Sequence, residues 1–217
     1  MYGIIFIFIF AVMAYYHSVI RDDEYVEISK KVSDRLNKLW EIAHLSMRDN
    51  RFLRAEKALL TILKIDEKNA PAYNRLGILY AKQKEYKDAI DCFEIASSIE
   101  STPSSLHNLG LIYLETENYD KAAVAFEQAI KLESNLAARH VAYAKVQEKI
   151  GNIKLMIDEL NIAAELEPNK QTLGLLHKAY KDNGYIKEAD ETAHRIKMIK
   201  KSPIKLKPLK RSKRVVV

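Results

Sequence analysis

The sequence has a single cysteine, Cys92, so it forms no intramolecular disulfide and builds no multi-cysteine zinc site. Its six glycines are scattered, and none makes a phosphate-cradling loop or a nucleophile elbow. The six histidines (His17, His44, His107, His140, His177 and His194) stand apart, without a second ligand at metal-binding spacing. His107 and His140 are 33 positions apart, a spacing read here as one position that is histidine twice. No paired-acid motif is present. The expectation is a chain that is no enzyme and takes no cofactor, metal or small-molecule substrate. Cys92, beside Phe93, reads as a partly buried small residue.

Two further absences divide the chain. No acid occurs from Arg195 to Val217, where there are ten basic residues, so the net charge of +6 belongs to this tail. Without it the chain is acidic, and the positive balance is no argument that the body binds nucleic acid. At the other end, Tyr2 to Ile20 is 19 residues without a formal charge. As a helix it would span about 28 Å, close to the roughly 30 Å hydrocarbon core of a bilayer. Residues 1–20 are therefore expected to be a transmembrane anchor. A cleaved signal peptide, with a mature start near Tyr15, is the competing reading; a basic leader and an Ala-x-Ala site are missing. Arg21, Lys30, Lys31, Arg35 and Lys38 follow the segment and no base precedes it, which puts the remainder on the cytoplasmic side. Residues 21–35 read as a juxtamembrane helix whose start is charged by Asp22, Asp23 and Glu24. Its apolar face would hold Tyr25, Ile28 and Val32 and run on to Leu36 and Leu39.

Between these ends the chain has a repeat. Leu76-Gly77-Ile78-Leu79-Tyr80 precedes Tyr86, Ala89, Phe93 and Ala96, and 33 positions later Leu109-Gly110-Leu111-Ile112-Tyr113 precedes Tyr119, Ala122, Phe126 and Ala129. The ladder extends as Ala55, Ala89, Ala122, Met156 and Ala189, at steps of 34, 33, 34 and 33. A second rung reads Leu59, Phe93, Phe126, Leu160 and Ala193, and a third reads Phe52, Tyr86, Tyr119, Ile153 and Ile186. Spacings of i, i+4 and i+7 put Ala89, Phe93 and Ala96 on one face of an amphipathic helix. Asn69 before Pro71, Thr102 before Pro103, and Asn169 after Pro168 mark helix starts. Asn50, Gly151-Asn152 and Asn183-Gly184 mark tight turns.

This pattern resembles the tetratricopeptide repeat over about Leu36 to Lys201, with Ala43, Ala144 and His177 at the glycine position in the first, fourth and fifth units. The resemblance implies an all-α, right-handed superhelical solenoid of about five helix-turn-helix repeats at 36–69, 70–102, 103–136, 137–169 and 170–201, preceded by the membrane helix. The layout also resembles bacterial inner-membrane proteins with one amino-terminal helix and cytoplasmic tetratricopeptide repeats.

In such arrays the first helices line a concave groove for a partner's peptide or helix. The family frame places Asn37, Trp40, His44, Asn74, Ile78, Ala81, His107, Leu111, Leu114, Val141, Lys145 and Glu148 there. Of these, Asn74, Ile78, His107, Leu111, Leu114, Val141 and Lys145 are the candidate contacts. The two-carboxylate clamp of chaperone-binding members is missing, because its positions hold Trp40, His44, Arg75, Ser104 and Asn108. Residues 202–217 read as an extended basic tail carrying Lys205, Lys207, Lys210, Arg211, Lys213 and Arg214. It is expected to meet anionic lipid or nucleic-acid phosphate, or to stay solvated. Together these features point to a membrane-anchored scaffold or adaptor that binds protein through its groove, with lipid or nucleic-acid binding by the tail as the alternative.

Overall fold

A computed structural model describes residues 30–201, together with Met13. The expected anchor apart from Met13, residues 21–29 and the basic tail at 202–217 lie outside the described residues. Among the described residues no helix is long and apolar enough to cross a membrane.

Residues 30–201 fold into ten helices and no strand. Residues 30–48 form α1, followed by α2 (Phe52–Ile65), α3 (Ala70–Gln83) and α4 (Tyr86–Ile99). Then come α5 (Pro103–Glu115), α6 (Tyr119–Leu132), α7 (Ala137–Ile150), α8 (Ile153–Leu166), α9 (Lys170–Asp182) and α10 (Ile186–Lys201). They belong to two compact units, one ending at Ser101 and the other starting at Thr102.

In the first unit α3 packs on α2 and on α4. Its core joins Ala43 and Met47 of α1 to Ala55, Leu59 and Ile62 of α2 and to Leu76 and Leu79 of α3. Helix α1 runs unbroken through position 36, so the expected juxtamembrane stretch continues into the first hairpin. Leu36 and Leu39 pack partly buried against the core, whereas Val32 is 41% exposed. In the second unit the hairpins α5/α6, α7/α8 and α9/α10 stack through α6 on α7 and α8 on α9. The ladder residues Ala55, Ala89, Ala122, Met156 and Ala189 are all buried, as are Leu59, Phe93, Phe126 and Leu160. The third rung breaks at its end, where Ile186 is 60% exposed.

Local chemistry explains the helix starts. The Ala72 N–H donates to Asn69 Oδ1 at 3.0 Å. Thr102 and Ser105 form a reciprocal capping box at 3.1 and 3.2 Å, as do Asn169 and Thr172 at 3.0 and 3.3 Å. Among the described residues five turns carry a left-handed residue: Asn50, Lys84, Glu117, Gly151 and Gly184, with φ between 57° and 88°. Lys84 and Glu117 hold this conformation without glycine's freedom, which costs about 1 kcal/mol each. Lys84→Gly and Glu117→Gly are expected to raise stability by up to about 1 kcal/mol apiece, read from urea midpoints of the far-ultraviolet dichroism.

Candidate functional site

The second unit presents its first helices α5, α7 and α9 side by side, and two depressions run along them. One, of about 310 Å³, is lined in the amino-terminal halves by His107 and Leu111 of α5, Ala138 and Val141 of α7, and Gln171 and Leu175 around the start of α9. The other, of about 720 Å³, lies toward the carboxy-terminal ends and is lined by residues including Glu115, Glu148, Met156, Lys178 and Asp182. Leu114, Val141, Lys145 and Leu175 belong to both, so the two are lobes of one groove. Its floor is apolar and its rim charged, the arrangement that suits a peptide or helix carrying apolar anchors.

Buried polar groups on α7 hold this helix in place. His140 Nδ1 lies 2.7 Å from Glu159 Oε2 on α8, and Nε2 lies 2.8 Å from the Ser134 carbonyl oxygen. Arg139 pairs with the Glu133 carboxylate at 2.8 Å and donates from Nη1 to the Glu133 carbonyl at 3.0 Å. Both contacts tie the loop before α7 to its first turn, one residue before Val141 enters the groove.

His107 is the titratable groove residue with the most unusual surroundings. Its ring meets the Phe126 ring edge-on at 5.4 Å, and among the described residues Nδ1 has no hydrogen-bond partner. Burial, and then the Arg139 charge, hold its pKa below the ordinary 6.5. The stability consequence has a definite sign. Above pH 6.5 the ring is neutral both folded and unfolded, and as pH falls below that value the unfolded chain takes the proton more readily. The melting temperature is therefore expected to fall between pH 7 and pH 5 less steeply in His107→Leu than in the native chain, as scanning calorimetry at several pH values would show.

The other predicted contacts lie in the first unit. Asn74 shares a depression of about 460 Å³ with Trp40, His44, Asn69, Pro71 and Arg75. Trp40 also packs on the core there, with its ring 5.8 Å from that of His44. Ile78 is half-buried against the same core and is not among the residues lining that depression. The tail residues Lys205, Lys207, Lys210, Arg211, Lys213 and Arg214 lie outside the described residues. Cys92 is half-buried, and burial followed by Asp88 and Asp91 pushes its thiol up to about 11. Its reaction with a maleimide at pH 7.5 is expected to be at least about tenfold slower in the native chain than in urea.

Sequence reasoning missed the contribution of α9. Lys178 stands 33 positions after Lys145 and was readable from the repeat, whereas Leu175 falls one position off the frame. The Glu159 partner of His140 was missed as well.

Residues 68–132 match the family model of the tetratricopeptide repeat. That stretch carries tetratricopeptide repeats. Solved structures of this kind share the fold. MamA from Desulfovibrio magneticus RS-1, residues 41 to the end, superposes with a TM-score of 0.70 at 15% identity, over 79% of this chain and 98% of its own. A second MamA structure gives 0.67 at 19% identity, over 75% of this chain and 90% of its own. YrrB, described as a tetratricopeptide repeat protein with an unusual peptide-binding site, gives 0.61 at 21% identity, over 70% and 80%. No curated protein matches the sequence. Stacked repeat arrays of this kind form extended concave surfaces suited to binding.

Proposed function

We propose that this tetratricopeptide chain is a membrane-anchored scaffold that captures a helical or extended segment of a partner protein in the groove of α5, α7 and α9. One observation carries the reading: His107, Leu111, Leu114, Val141 and Lys145, from two different helices, line a single groove with Leu175 of a third. The peptide-binding site named for YrrB is consistent with that use of the fold. The uncharged run at Tyr2 to Ile20, with the bases that follow it, supports an anchor with the repeats on the cytoplasmic side. Anchoring confines the scaffold and its captured partner to one surface, which raises their effective concentration for each other.

The test compares proteins captured from detergent extracts by the full chain and by a Leu111→Arg, Leu175→Arg variant whose helical dichroism is unchanged. Partners lost with the variant support the groove, and an unchanged set sinks it. The basic tail favours a second reading, capture of anionic lipid or nucleic acid through phosphates. Vesicles of phosphatidylserine and a duplex DNA, each titrated against salt, test that reading directly.

A further inference from the structure

The groove has a charge imbalance that the chain itself can answer. Across its two lobes Glu115, Glu117, Glu148, Glu167 and Asp182 face three lysines, Lys145, Lys149 and Lys178. Glu117, Glu148 and Asp182 make no ion pair among the described residues. They lie where α5, α7 and α9 end, so the carbonyl ends of three helices add partial negative charge to that lobe.

Residues 202–217 have the complementary chemistry. They hold six bases and no acid, with Ile204 and Leu206 alternating with Lys205 and Lys207. Pro203 and Pro208 disfavour a helix, and an extended chain would turn Ile204 and Leu206 to one side and the lysines to the other. An apolar floor with an acidic rim matches that pattern.

The fold also brings the tail to the right place. α10 packs on α9 across a short turn and runs back along it, so Lys201 ends beside the start of α9. Glu167, Asn169 and Gln171 line the groove there. Crossing the helix pair takes about 10 Å, and running the length of α9 takes about 20 Å more. About ten extended residues cover that path, and the tail has 16.

We propose that residues 202–217 occupy the groove of their own chain, so that a partner's segment binds only by displacing them. The proposal rests on the groove being the binding face. An intramolecular ligand acts at an effective concentration in the millimolar range, so weak contacts suffice to fill the site.

Zero-length carbodiimide cross-linking of the full chain in detergent tests it, using an equal mixture of unlabelled and ¹⁵N-labelled protein with peptide mapping. The expected result is that Lys205 joins Glu167 near the start of α9, and that Lys210 and Lys213 join Glu117, Glu148 and Asp182, all within molecules of one isotope. A Leu206→Asp, Leu209→Asp variant keeps every lysine and every groove carboxylate, and its links to the groove are expected to be lost. Links spread evenly over outward-facing acids such as Glu94 and Glu165 would overturn the proposal. So would links between isotopes, which would put a second copy's tail in the groove. No foreign partner enters this experiment, so a negative result here leaves the capture assay to judge the groove on its own.

Discussion

Phe93→Ala is expected to lower stability by about 3–5 kcal/mol, and Gly77→Ala by about 1–3 kcal/mol although alanine is the better helix former. Phe93 is 1% exposed, and its ring lies against Gly77 where α4 crosses α3. A Cβ on residue 77 would stand 2.7 Å from Phe93 Cε1 and 2.8 Å from Cδ1 and Cζ, well inside contact distance. The ring has no solvent to move into, so the clash outweighs the roughly 1 kcal/mol that alanine gains in propensity. Gly110 and Phe126 repeat the geometry at 2.9 Å.

The remaining repeats show how the same crossing accepts other residues. Sixteen positions separate each pair, and the pairs read Ala43 with Leu59, Gly77 with Phe93, Gly110 with Phe126, Ala144 with Leu160 and His177 with Ala193. As the residue on the first helix grows, the residue on the second shrinks. A Gly77→Ala, Phe93→Leu double variant installs the pair of the first and fourth repeats, and is expected to recover most of the loss of Gly77→Ala. Thermal and urea melts of the two single variants and the double variant measure the coupling. A neutral Gly77→Ala, or a double variant no better than Phe93→Leu alone, would show that volume at this crossing is not what sets the pairing.

That compensation explains how far the fold was legible. Ladder positions were readable because each repeat solves one packing problem at a fixed spacing, even where the residue types differ. The caps at Asn69, Thr102 and Asn169 were readable because side-chain acceptors and prolines have few other uses there. Lys84 and Glu117 were not readable as turn residues by type, since nothing about lysine or glutamate favours a positive φ. Their positions carried the signal instead: Asn50, Lys84, Glu117, Gly151 and Gly184 step by 34, 33, 34 and 33, as the buried ladder does. The groove was legible where the family frame holds, at Leu111, Val141 and Lys145. It was not legible at Leu175, whose exposure in the groove depends on how α9 is rotated against α7. His140 illustrates the limit, because its spacing from His107 suggested a repeated residue and nothing more, while its partner lies on another helix.

His140→Ala is expected to cost about 3–5 kcal/mol, the loss that follows when one member of a buried pair is removed. The His140 side chain is 3% exposed and that of Glu159 is 12% exposed, so the carboxylate left behind has little access to water. Both ring nitrogens face oxygen acceptors, the Glu159 carboxylate and the Ser134 carbonyl. Replacing both residues by leucine removes the orphaned charge with the pair, so His140→Leu, Glu159→Leu is expected to lose less than His140→Leu alone. Urea melts of the complete cycle measure that coupling. The consequence for the groove is separable from global stability. The Ser134 bond and the Arg139 contacts to Glu133 together fasten residues 133–136 to the first turn of α7. Amide exchange in residues 134–141 is therefore expected to quicken in His140→Ala before the rest of α7 is affected. Partner capture should fall with it, because Val141 and Lys145 stand on the turns this pair fixes, although neither has been changed. A His140→Ala variant as stable as the native chain, with unchanged exchange at 134–141, would mean that α7 is positioned by its apolar contacts with α6 and α8 alone.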